Sequence, residues 1–518
     1  MEAINVGILS ILPPIIAIGL ALATKEVISS LIIGILSGTF IYACFTTTGV
    51  ISIATETVHV TMSLMTQKFA DNAAILIFLS LLGSLVYIVT KAGGSRAYGN
   101  WAASKIKSRA GAQLSTCALG ALIFIDDYFN CLTVGTVMRP VTDKHRISHA
   151  KLAYLIDATA APICIIAPVS SWAASVISQM DGTGLDGMST FIQSIPFNLY
   201  AILTFLMIIV LSVTNLEFGP MAKFEKNALE YGKLDSDNAL DSDEDELSNM
   251  KISGKGRVID LVLPILALIV FSVLSMLFVG GYFDPGANMT LAEGFGNTDA
   301  GPALALSSFC ALVFTFFLFV PRKLLSFSEF MGSITQGAKS MVGADIILTL
   351  AWTISGVCRD LLNTGVYVGD QVAASSMPPA LIPAIIFVVA GLLSFSMGTS
   401  WGTFGILIPI IASVCQQVAP ELTVIALAAT LAGSVFGDHC SPISDTTILS
   451  STGARCHHID HVSTQLPYTI TVAACCLVGY VVAGFTHNLP LTLAAGILSL
   501  AVVVTILHYV TGKKNGSV

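Results

Sequence analysis

Charged residues are scarce in this sequence. Asp, Glu, Lys and Arg together make up 11% of its 518 residues, whereas soluble domains carry about 25%. Hydrophobic residues make up 54% of the chain, and the mean hydropathy is +0.82. So few charges over so long a chain exclude an ordinary soluble protein. The long apolar runs instead predict helices that cross a lipid bilayer.

The chain also lacks the motifs of several functional classes. No nucleotide-binding loop, nucleophile elbow or metal-hydrolase motif occurs in a context that would make it credible. The 11 cysteines lie mostly inside apolar segments and show neither zinc-site spacing nor a disulfide framework. We therefore predict a protein that is not an enzyme, that holds no resident cofactor and that has no nucleic-acid partner.

Apolar runs and basic loops together predict the topology. The segment from Gly111 to Pro140 is flanked on both sides by basic loops, and basic loops face the cytoplasm. It is too short for two crossings of about 20 residues each, so we predict a re-entrant hairpin at about 111–140. A second hairpin, with weakly charged flanks outside the cell, is predicted at about 380–411. The result is an all-α integral membrane protein with about 11 spans, an external N-terminus and a cytoplasmic C-terminus.

The second half of the sequence repeats the first at a nearly constant shift. The aligned identities include Leu79 with Leu350, Ser84 with Ser355, Gly120 with Gly391, Phe124 with Phe395, and Pro196 with Pro467. Slightly further along, Pro168-Val169-Ser170 aligns with Pro442-Ile443-Ser444. Because each half has an odd number of crossings, we predict an inverted-topology repeat, with residues 1–215 and 257–487 as its two copies. An acidic cytoplasmic linker (216–256) joins the copies, and 488–518 form an extra helix and tail.

Polar residues interrupt the apolar runs at four places. Two are the turns of the predicted hairpins, at 124–130 and 394–403. The other two lie in the spans that follow, which we predict to be broken helices at about 151–180 and 422–451. Proline removes a helix donor and glycine relaxes the backbone, so such breaks free carbonyl oxygens to act as ligands. Non-helical chain at membrane depth persists only where protein buries it or where it lines a cavity. The four interruptions are therefore the candidate functional site.

Five carboxylates lie in these interruptions, Asp126, Asp127, Asp157, Asp438 and Asp445, and no Lys or Arg lies in the turns or in the polar breaks at 157–171 and 433–447. Ionisable side chains inside a membrane indicate function, and carboxylate, hydroxyl, amide and carbonyl oxygens are the ligands that small cations prefer. The pattern predicts a Na⁺ or proton site, since a zinc or copper site would need a cluster of Cys or His. The alternative for each aspartate is a helix cap or a hydrogen bond to the hairpin backbone.

Three other side chains have two interpretations each. His439 is a candidate proton carrier, as is Asp126, but a histidine beside an aspartate such as Asp438 is more often a structural hydrogen-bond partner. Trp172 and Trp401 could wall a substrate cavity, and packing explains them equally well. The sequence alone leaves both choices open.

Three stretches closely resemble the NhaC-type Na⁺/H⁺ antiporter family. They are FIDDYFNCLTVGTVMRPVTDKHRISHAKLAYLIDATAAP (124–162), GTSWGTFGILIP (398–409) and GSVFGDHCSPISDTTILSSTGA (433–454). The resemblance extends in its spacing over nearly the whole chain. It implies a scaffold domain paired with a transport domain built on two hairpins and two broken helices. It also implies elevator movement, a homodimer and a place in the bacterial inner membrane.

The resemblance further implies two cation sites. One Na⁺ would lie between the first hairpin turn and the first break, with Asp127, Asn130, Ser170 and Ser171 as ligands and Asp157 as a further candidate. The second would lie between the second hairpin and the second break, with ligands from Ser396, Thr399, Ser400, Asp438, Ser441, Asp445 and Thr446.

These expectations converge on one function. A buried carboxylate that binds either Na⁺ or a proton, but not both, makes exchange obligatory, because only the neutralised site crosses at low cost. We therefore predict a Na⁺/H⁺ antiporter that works by alternating access. The alternative is a Na⁺-coupled symporter or exchanger of an amino acid or a small carboxylate such as malate or lactate. A channel fits less well, because paired hairpins in an inverted repeat suit alternating access better than an open pore.

Overall fold

The computed structural model describes residues 3–24, 26–124, 127–168, 170–180, 183–235, 253–286, 289–339, 341–373 and 378–515. Within these ranges the chain is helical, and no residue is in a strand. The predicted fold class, an all-α membrane protein, is confirmed.

The α-helices of the described residues follow one another in this order: α1 (Leu12–Thr24), α2 (Val27–Thr46), α3 (Val50–Asp71), α4 (Ala73–Lys91), α5 (Gly94–Lys105), α6 (Arg109–Leu122), α7 (Asp127–Lys144), α8 (His149–Asp157), α9 (Ala161–Cys164), α10 (Ser171–Ser178), α11 (Gly187–Ser194), α12 (Leu199–Thr214), α13 (Pro220–Tyr231), α14 (Ile259–Val279), α15 (Leu291–Gly296), α16 (Ala300–Phe319), α17 (Phe327–Lys339), α18 (Val342–Gly356), α19 (Thr364–Ala373), α20 (Ile382–Met397), α21 (Ser400–Val418), α22 (Thr423–Cys440), α23 (Asp445–Ala454), α24 (His458–Thr486) and α25 (Leu489–Asn515). Short 3₁₀ turns lie at Gly7–Ile11, Ile195–Phe197, Pro379–Leu381 and Pro420–Leu422, and a π-helical turn extends α18 at Val357–Leu361.

The helices long and apolar enough to cross a membrane can be compared with the predicted spans among the described residues. Within the described ranges, eight are long and apolar enough to span a bilayer, and a bent pair, Gly187–Phe197 with Leu199–Thr214, would make a ninth. The helix α1 has 13 residues, short of the roughly 20 that a crossing needs. The figure of about 11 spans and the re-entrant course of the two hairpins therefore remain predictions.

Polar caps set the starts of the helices at the hairpins and breaks. The side chains of Ser108, Ser148 and Ser170 each accept a hydrogen bond from the backbone N–H three residues further on. In the second half Thr399 and Ser444 do the same. Each cap satisfies one of the donors that a helix start leaves unpaired. The chain can therefore leave and resume helical geometry within apolar surroundings.

The two halves place their hairpins against their broken helices in the same way. Gly120, in the first arm of hairpin α6–α7, lies directly against Thr159, where the helix after α8 breaks. In the second half, Gly391 in hairpin α20–α21 lies against the Phe436 ring of α22, and a Cβ there would also lie 3.6 Å from the carbonyl oxygen of Gly433, the residue aligned with Thr159. A larger side chain at either glycine would push the hairpin away from the break. These close approaches bring the polar interruptions of each half together.

Contacts between the halves also occur in matching pairs. Gly83 of α4 lies against Gly337 of α17, and Ser84 donates a hydrogen bond to the Ile334 carbonyl at 2.9 Å. The sequence alignment maps α4 onto α18 and α17 onto α3, and there Gly356 lies against Lys68. Such reciprocity is expected of a duplicated chain whose halves are related by a two-fold axis. The boundaries of the two repeats remain a prediction.

The beginning of the predicted linker is folded onto the first half. Glu225 of α13 forms an ion pair with Arg109 at the start of α6, and its other oxygen accepts a hydrogen bond from the Ser148 backbone at 2.9 Å. Glu217, just before α13, binds the ammonium of Lys151 in α8 at 2.9 Å. These ion pairs fix the linker start against both α6 and α8. The acidic stretch 236–252 lies outside the described residues.

Candidate functional site

The break between α22 and α23 is the most deeply enclosed of the interruptions. Every residue from 437 to 451 is buried, including the non-helical residues 441–444. The helix α22 ends at Cys440, and the cap at Ser444 starts α23. Gly398, at the turn of the second hairpin, has φ +67°, and a Cβ there would lie 2.5 Å from the Ile443 carbonyl oxygen. The hairpin turn therefore packs directly on the break.

Asp438 joins the second hairpin to the second break. Its Oδ2 accepts a hydrogen bond of 2.8 Å from the hydroxyl of Ser400, at the start of α21. Its Oδ1 is buried and has no hydrogen-bond partner among the described residues. Ser394 and Ser400 also reach the Ser434 carbonyl, at 2.7 and 3.2 Å. A carboxylate with one unsatisfied buried oxygen is poised to take up a cation or a proton.

Asp445 joins the second break to the first hairpin. Its Oδ2 accepts a hydrogen bond from the phenol of Tyr128, in the first turn of α7. Its Oδ1 accepts the backbone N–H of Thr446 at 2.8 Å. The Thr446 hydroxyl lies 3.1 Å from that of Ser444. Asp445 is therefore a link between the two halves of the molecule, with both of its oxygens already hydrogen-bonded.

Asp157 lies at the centre of a buried polar network. Its Oδ2 accepts a hydrogen bond of 2.8 Å from Gln465 and lies 3.3 Å from His461 Nε2, both in α24. His439 Nε2, from α22, is 3.5 Å from the same oxygen. The other ring nitrogen of His439 is 2.8 Å from the hydroxyl of Tyr200 in α12. Four helices thus meet around one carboxylate, and His439 is a partner of Asp157 rather than of Asp438.

Asn130 ties the first hairpin to the first break. Its amide nitrogen lies 2.7, 2.8 and 3.1 Å from the carbonyl oxygens of Gly120, Ile123 and Thr159. Its Oδ1 is buried and has no hydrogen-bond partner among the described residues. The side chain thus closes the turn with one end and offers an oxygen with the other. Asp127, three residues earlier, is also buried.

Several predicted ligands are occupied by local hydrogen bonds. The Ser170 hydroxyl caps α10 and donates to the carbonyl oxygens of Cys164 and Ala167. Ser396 donates to Leu393 in its own helix, and Ser441 donates to Phe395 in the second hairpin at 2.8 Å. Thr399 caps α21. These hydroxyls therefore act in helix capping and in hydrogen bonds to the backbone.

Two of the predicted residues fall outside the described geometry. Asp126 is not among the described residues, and the side chain of Ser171 is not described although its backbone begins α10. The first cation site can therefore be described only through Asp127, Asn130, Ser170 and the further candidate Asp157.

The two candidate cavity residues lie side by side. The rings of Trp172, in α10, and Trp401, in α21, are 5.5 Å apart in an edge-to-face arrangement. Phe404 lies 5.9 Å from Trp172 and 6.0 Å from Trp401, measured between ring centroids. Trp172 is fully buried, and its indole N–H has no hydrogen-bond partner among the described residues. The cluster brings the first break against the second hairpin.

Negatively charged groups predominate in the electrostatics of the site. Asp438 interacts with both Asp445 and Asp157. In the part of the chain that the structure describes, no Lys or Arg forms an ion pair with any of these three carboxylates. Nor does any group of three or more His, Cys, Asp or Glu side chains in that part converge as a metal site. The predicted Na⁺ sites use a different donor set, one or two carboxylates with amide, hydroxyl and backbone oxygens.

The sequence analysis missed four side chains of these networks: Tyr128, Tyr200, His461 and Gln465. A signal for two of them was present, because His461 and Gln465 are four residues apart and therefore share one face of a helix. For the two tyrosines no local pattern distinguishes a hydroxyl that bonds a distant aspartate or histidine from an ordinary buried ring.

The two breaks align at Pro168-Val169-Ser170 and Pro442-Ile443-Ser444 but differ in the acidic residues around these segments. Cys164 precedes Pro168 by the same distance as Asp438 precedes Pro442, and Ser171 follows Ser170 as Asp445 follows Ser444. The carboxylates of the second break therefore have no acidic counterparts in the first.

Comparison with known proteins identifies a family whose sequence profile matches this chain. The sequence profile described as the Na⁺/H⁺ antiporter family matches residues 163–485. An uncharacterized protein of Haemophilus influenzae is 40% identical over 509 residues, which cover 96% of this chain and 94% of that protein. The malate-2H⁺/Na⁺-lactate antiporter of Bacillus subtilis is 25% identical over 206 residues, covering 36% of this chain and 43% of its own. The solved structure of the Neisseria gonorrhoeae efflux pump MtrF aligns with a TM-score of 0.36 and 12% identity, covering 89% of this chain and 96% of its own.

Proposed function

Since this chain belongs to the Na⁺/H⁺ antiporter family and is a multi-pass secondary transporter, we propose that it exchanges Na⁺ for protons across the membrane. One observation carries the proposal. Asp438 is buried in the second break, where its Oδ2 accepts a hydrogen bond from the Ser400 hydroxyl. Its Oδ1 has no hydrogen-bond partner among the described residues. Leaving such a carboxylate charged in the interior is costly unless a cation or a proton neutralises it.

Competition at this carboxylate would couple the two flows. The unpaired oxygen of Asp438 can hold Na⁺ together with neighbouring hydroxyl and backbone oxygens, or it can be protonated, and either occupant removes the same buried charge. Asn130 offers a second unpaired oxygen at the first hairpin, where Asp127 is the nearest candidate carboxylate. Na⁺ and H⁺ are thus the cargo, and no resident cofactor is needed.

The movement that we propose is of the elevator type. Hairpins α6–α7 and α20–α21, with the broken helices α8–α10 and α22–α23, would form the transport domain, and the remaining spans the scaffold. The chain would act as a homodimer in a bacterial inner membrane, with its N-terminus outside and its C-terminus in the cytoplasm. The basic loops on both sides of the first hairpin support that orientation.

A second candidate function rests on the aromatic cluster. Trp172, Trp401 and Phe404 form a wall between the first break and the second hairpin, and the indole N–H of Trp172 is an unused buried donor. An amino acid or a small carboxylate could bind there and be coupled to Na⁺ at Asp438. The partial similarity to a relative that is named for malate, protons, Na⁺ and lactate makes small carboxylates the first class to screen.

The test is a flux measurement in liposomes that contain a pH-sensitive dye. A proton gradient is imposed and Na⁺, Li⁺ or K⁺ is added to the wild type, to Asp438→Asn and to Glu421→Gln. Glu421 is the matched control, because it is an exposed carboxylate at the start of the same span. We expect Na⁺ to evoke proton movement in the wild type and in Glu421→Gln, and not in Asp438→Asn.

Two results would count against the proposal. A silent wild type would reject simple exchange and direct attention to Na⁺-dependent uptake of carboxylates and amino acids. Full activity in Asp438→Asn would show that the coupling carboxylate lies elsewhere.

A further inference from the structure

A second buried polar cluster lies between α6, α8 and α12, outside the site described above. Its central residue is Gln113 of α6, which is fully buried. Neither the nitrogen nor the oxygen of its amide has a hydrogen-bond partner among the described residues. Burying an amide without any hydrogen bond is energetically costly. A native protein avoids that cost by supplying a partner, and here the neighbouring side chains do not.

The surroundings of Gln113 are polar on one side. Cys117 follows it by four residues, and residues at that spacing share one face of a helix. The Cys117 thiol interacts electrostatically with Ser212 in α12 and with Lys151 in α8, and the Ser212 hydroxyl, like the Gln113 amide, has no hydrogen-bond partner among the described residues. All four side chains are buried. A small polar ligand between these helices would meet an amide, a hydroxyl and an ammonium.

The same face of α6 continues to the first hairpin turn. Gly120, three residues beyond Cys117, lies against Thr159. The carbonyl oxygens of both Gly120 and Thr159 are bonded by Asn130, which is the residue that presents an unpaired oxygen at the turn. At the opposite end of the helix, Arg109 pairs with Glu225 of the linker start. The face therefore runs from the linker side of the molecule to the candidate cation site.

We propose that Gln113 holds water and marks an aqueous access route between α6, α8 and α12 to the first hairpin turn. The ligand class is water, because a water molecule can donate to the amide oxygen and accept from the amide nitrogen at a buried polar site. Protons and Na⁺ that enter or leave from the linker side use this route. The inference rests on the proposed exchange only for the identity of what travels along the route.

The native cysteines provide the test. The wild-type chain, in sealed vesicles of both orientations, is treated with a small membrane-impermeant thiol reagent, and the labelled peptides are counted by mass spectrometry over time. Cys476 in α24 is the control, because it is as completely buried as Gln113 but has no place on the route. We expect Cys117 to react from the linker side at least about tenfold faster than Cys476, equivalent to about 1.4 kcal/mol in the barrier.

Variants of Gln113 distinguish a specific water route from non-specific local opening of the structure around Cys117. In Gln113→Leu the amide is lost at nearly constant size, and labelling of Cys117 should fall to the rate of Cys476, whereas Gln113→Glu should keep it fast. Equal rates for Cys117 and Cys476 in the wild type, or an unchanged rate in a folded Gln113→Leu, would overturn the inference. If Gln113→Leu does not fold, the wild-type comparison decides alone.

The two proposals fail separately. Labelling of Cys117 does not depend on cargo, so fast labelling in a protein that moves no protons with Na⁺ would reject the exchange and leave the route standing. Normal exchange with an unreactive Cys117 would reject the route alone.

Discussion

Removing the ammonium of Lys151 should destabilise the protein strongly. Lys151 is fully buried, its ammonium lies 2.9 Å from Glu217, and it also faces the rings of Tyr154 and Tyr468 at 5.5 and 5.2 Å. Glu217 is 13% exposed, so Lys151→Met would strand a largely buried charge. Breaking a buried pair from one side costs about 3–5 kcal/mol. We expect a loss of that size in the free energy of unfolding, measured by denaturant titration in mixed micelles.

Two companion variants decide whether this reasoning holds. Lys151→Met combined with Glu217→Gln removes both charges and keeps an acceptor for Tyr468, so most of the stability should return. Lys226→Met is the matched control, since Lys226 and Glu230 form an exposed pair at 3.9 Å, and such pairs contribute about 0.3–0.5 kcal/mol. A loss below about 1 kcal/mol for Lys151→Met, or a double variant no more stable than the single one, would refute the assignment of the cost to a stranded charge.

Three other predictions follow from single contacts. Burial alone would lower the pKa of His149, but its bonds to Asp143 and Asp235 outweigh burial and raise the pKa from the usual 6.5 to about 9. The stabilisation from these bonds is therefore complete below pH 6.5 and is lost as the pH rises through about 9. His149→Gln should accordingly lower the melting temperature at pH 6 and not at pH 10. Gly135→Ala should lower the free energy of unfolding by about 1–3 kcal/mol, because the new Cβ would lie 2.5 Å from the Gly453 backbone. The control is Gly332→Ala, whose Cβ meets nothing within 4 Å and which should be neutral or stabilising in the same unfolding assay. Tyr128→Phe removes the phenol hydroxyl that donates a hydrogen bond to Asp445, and such a charge-assisted bond is worth about 1.5–3 kcal/mol. The Na⁺ concentration for half-maximal flux should therefore change at least about fivefold. An unchanged value would place Asp445 outside the transport site.

The sequence singled out the polar interruptions of its apolar runs because polarity inside such a run is costly. Asp438 stood out for that reason, and the structure places Ser400 against Asp438. Family resemblance added the expectation that hairpin and break would meet. The site residues themselves remain predictions until flux is measured.

The remainder could not be predicted, because it depends on contacts between residues that are distant in the chain. Asp157 meets His461 across a separation of 304 positions, and Tyr128 meets Asp445 across 317. Neither partner carries a local pattern that points to the other. The number of spans also remains a prediction, because hydropathy alone does not tell a short apolar helix such as α1, which has 13 residues, from a full crossing.

The unequal acidity of the two aligned breaks has a kinetic consequence. A carrier whose halves were identical would present the same binding site to both sides of the membrane and would work equally well in either direction. Here the aligned frame holds Asp438 and Asp445 in one half, and Cys164 and Ser171 in the other. Under the proposed exchange, the states open to the two sides would then differ in apparent affinity for Na⁺. Such a carrier is a rectifier, which at equal driving force delivers its cargo faster in one direction than in the other.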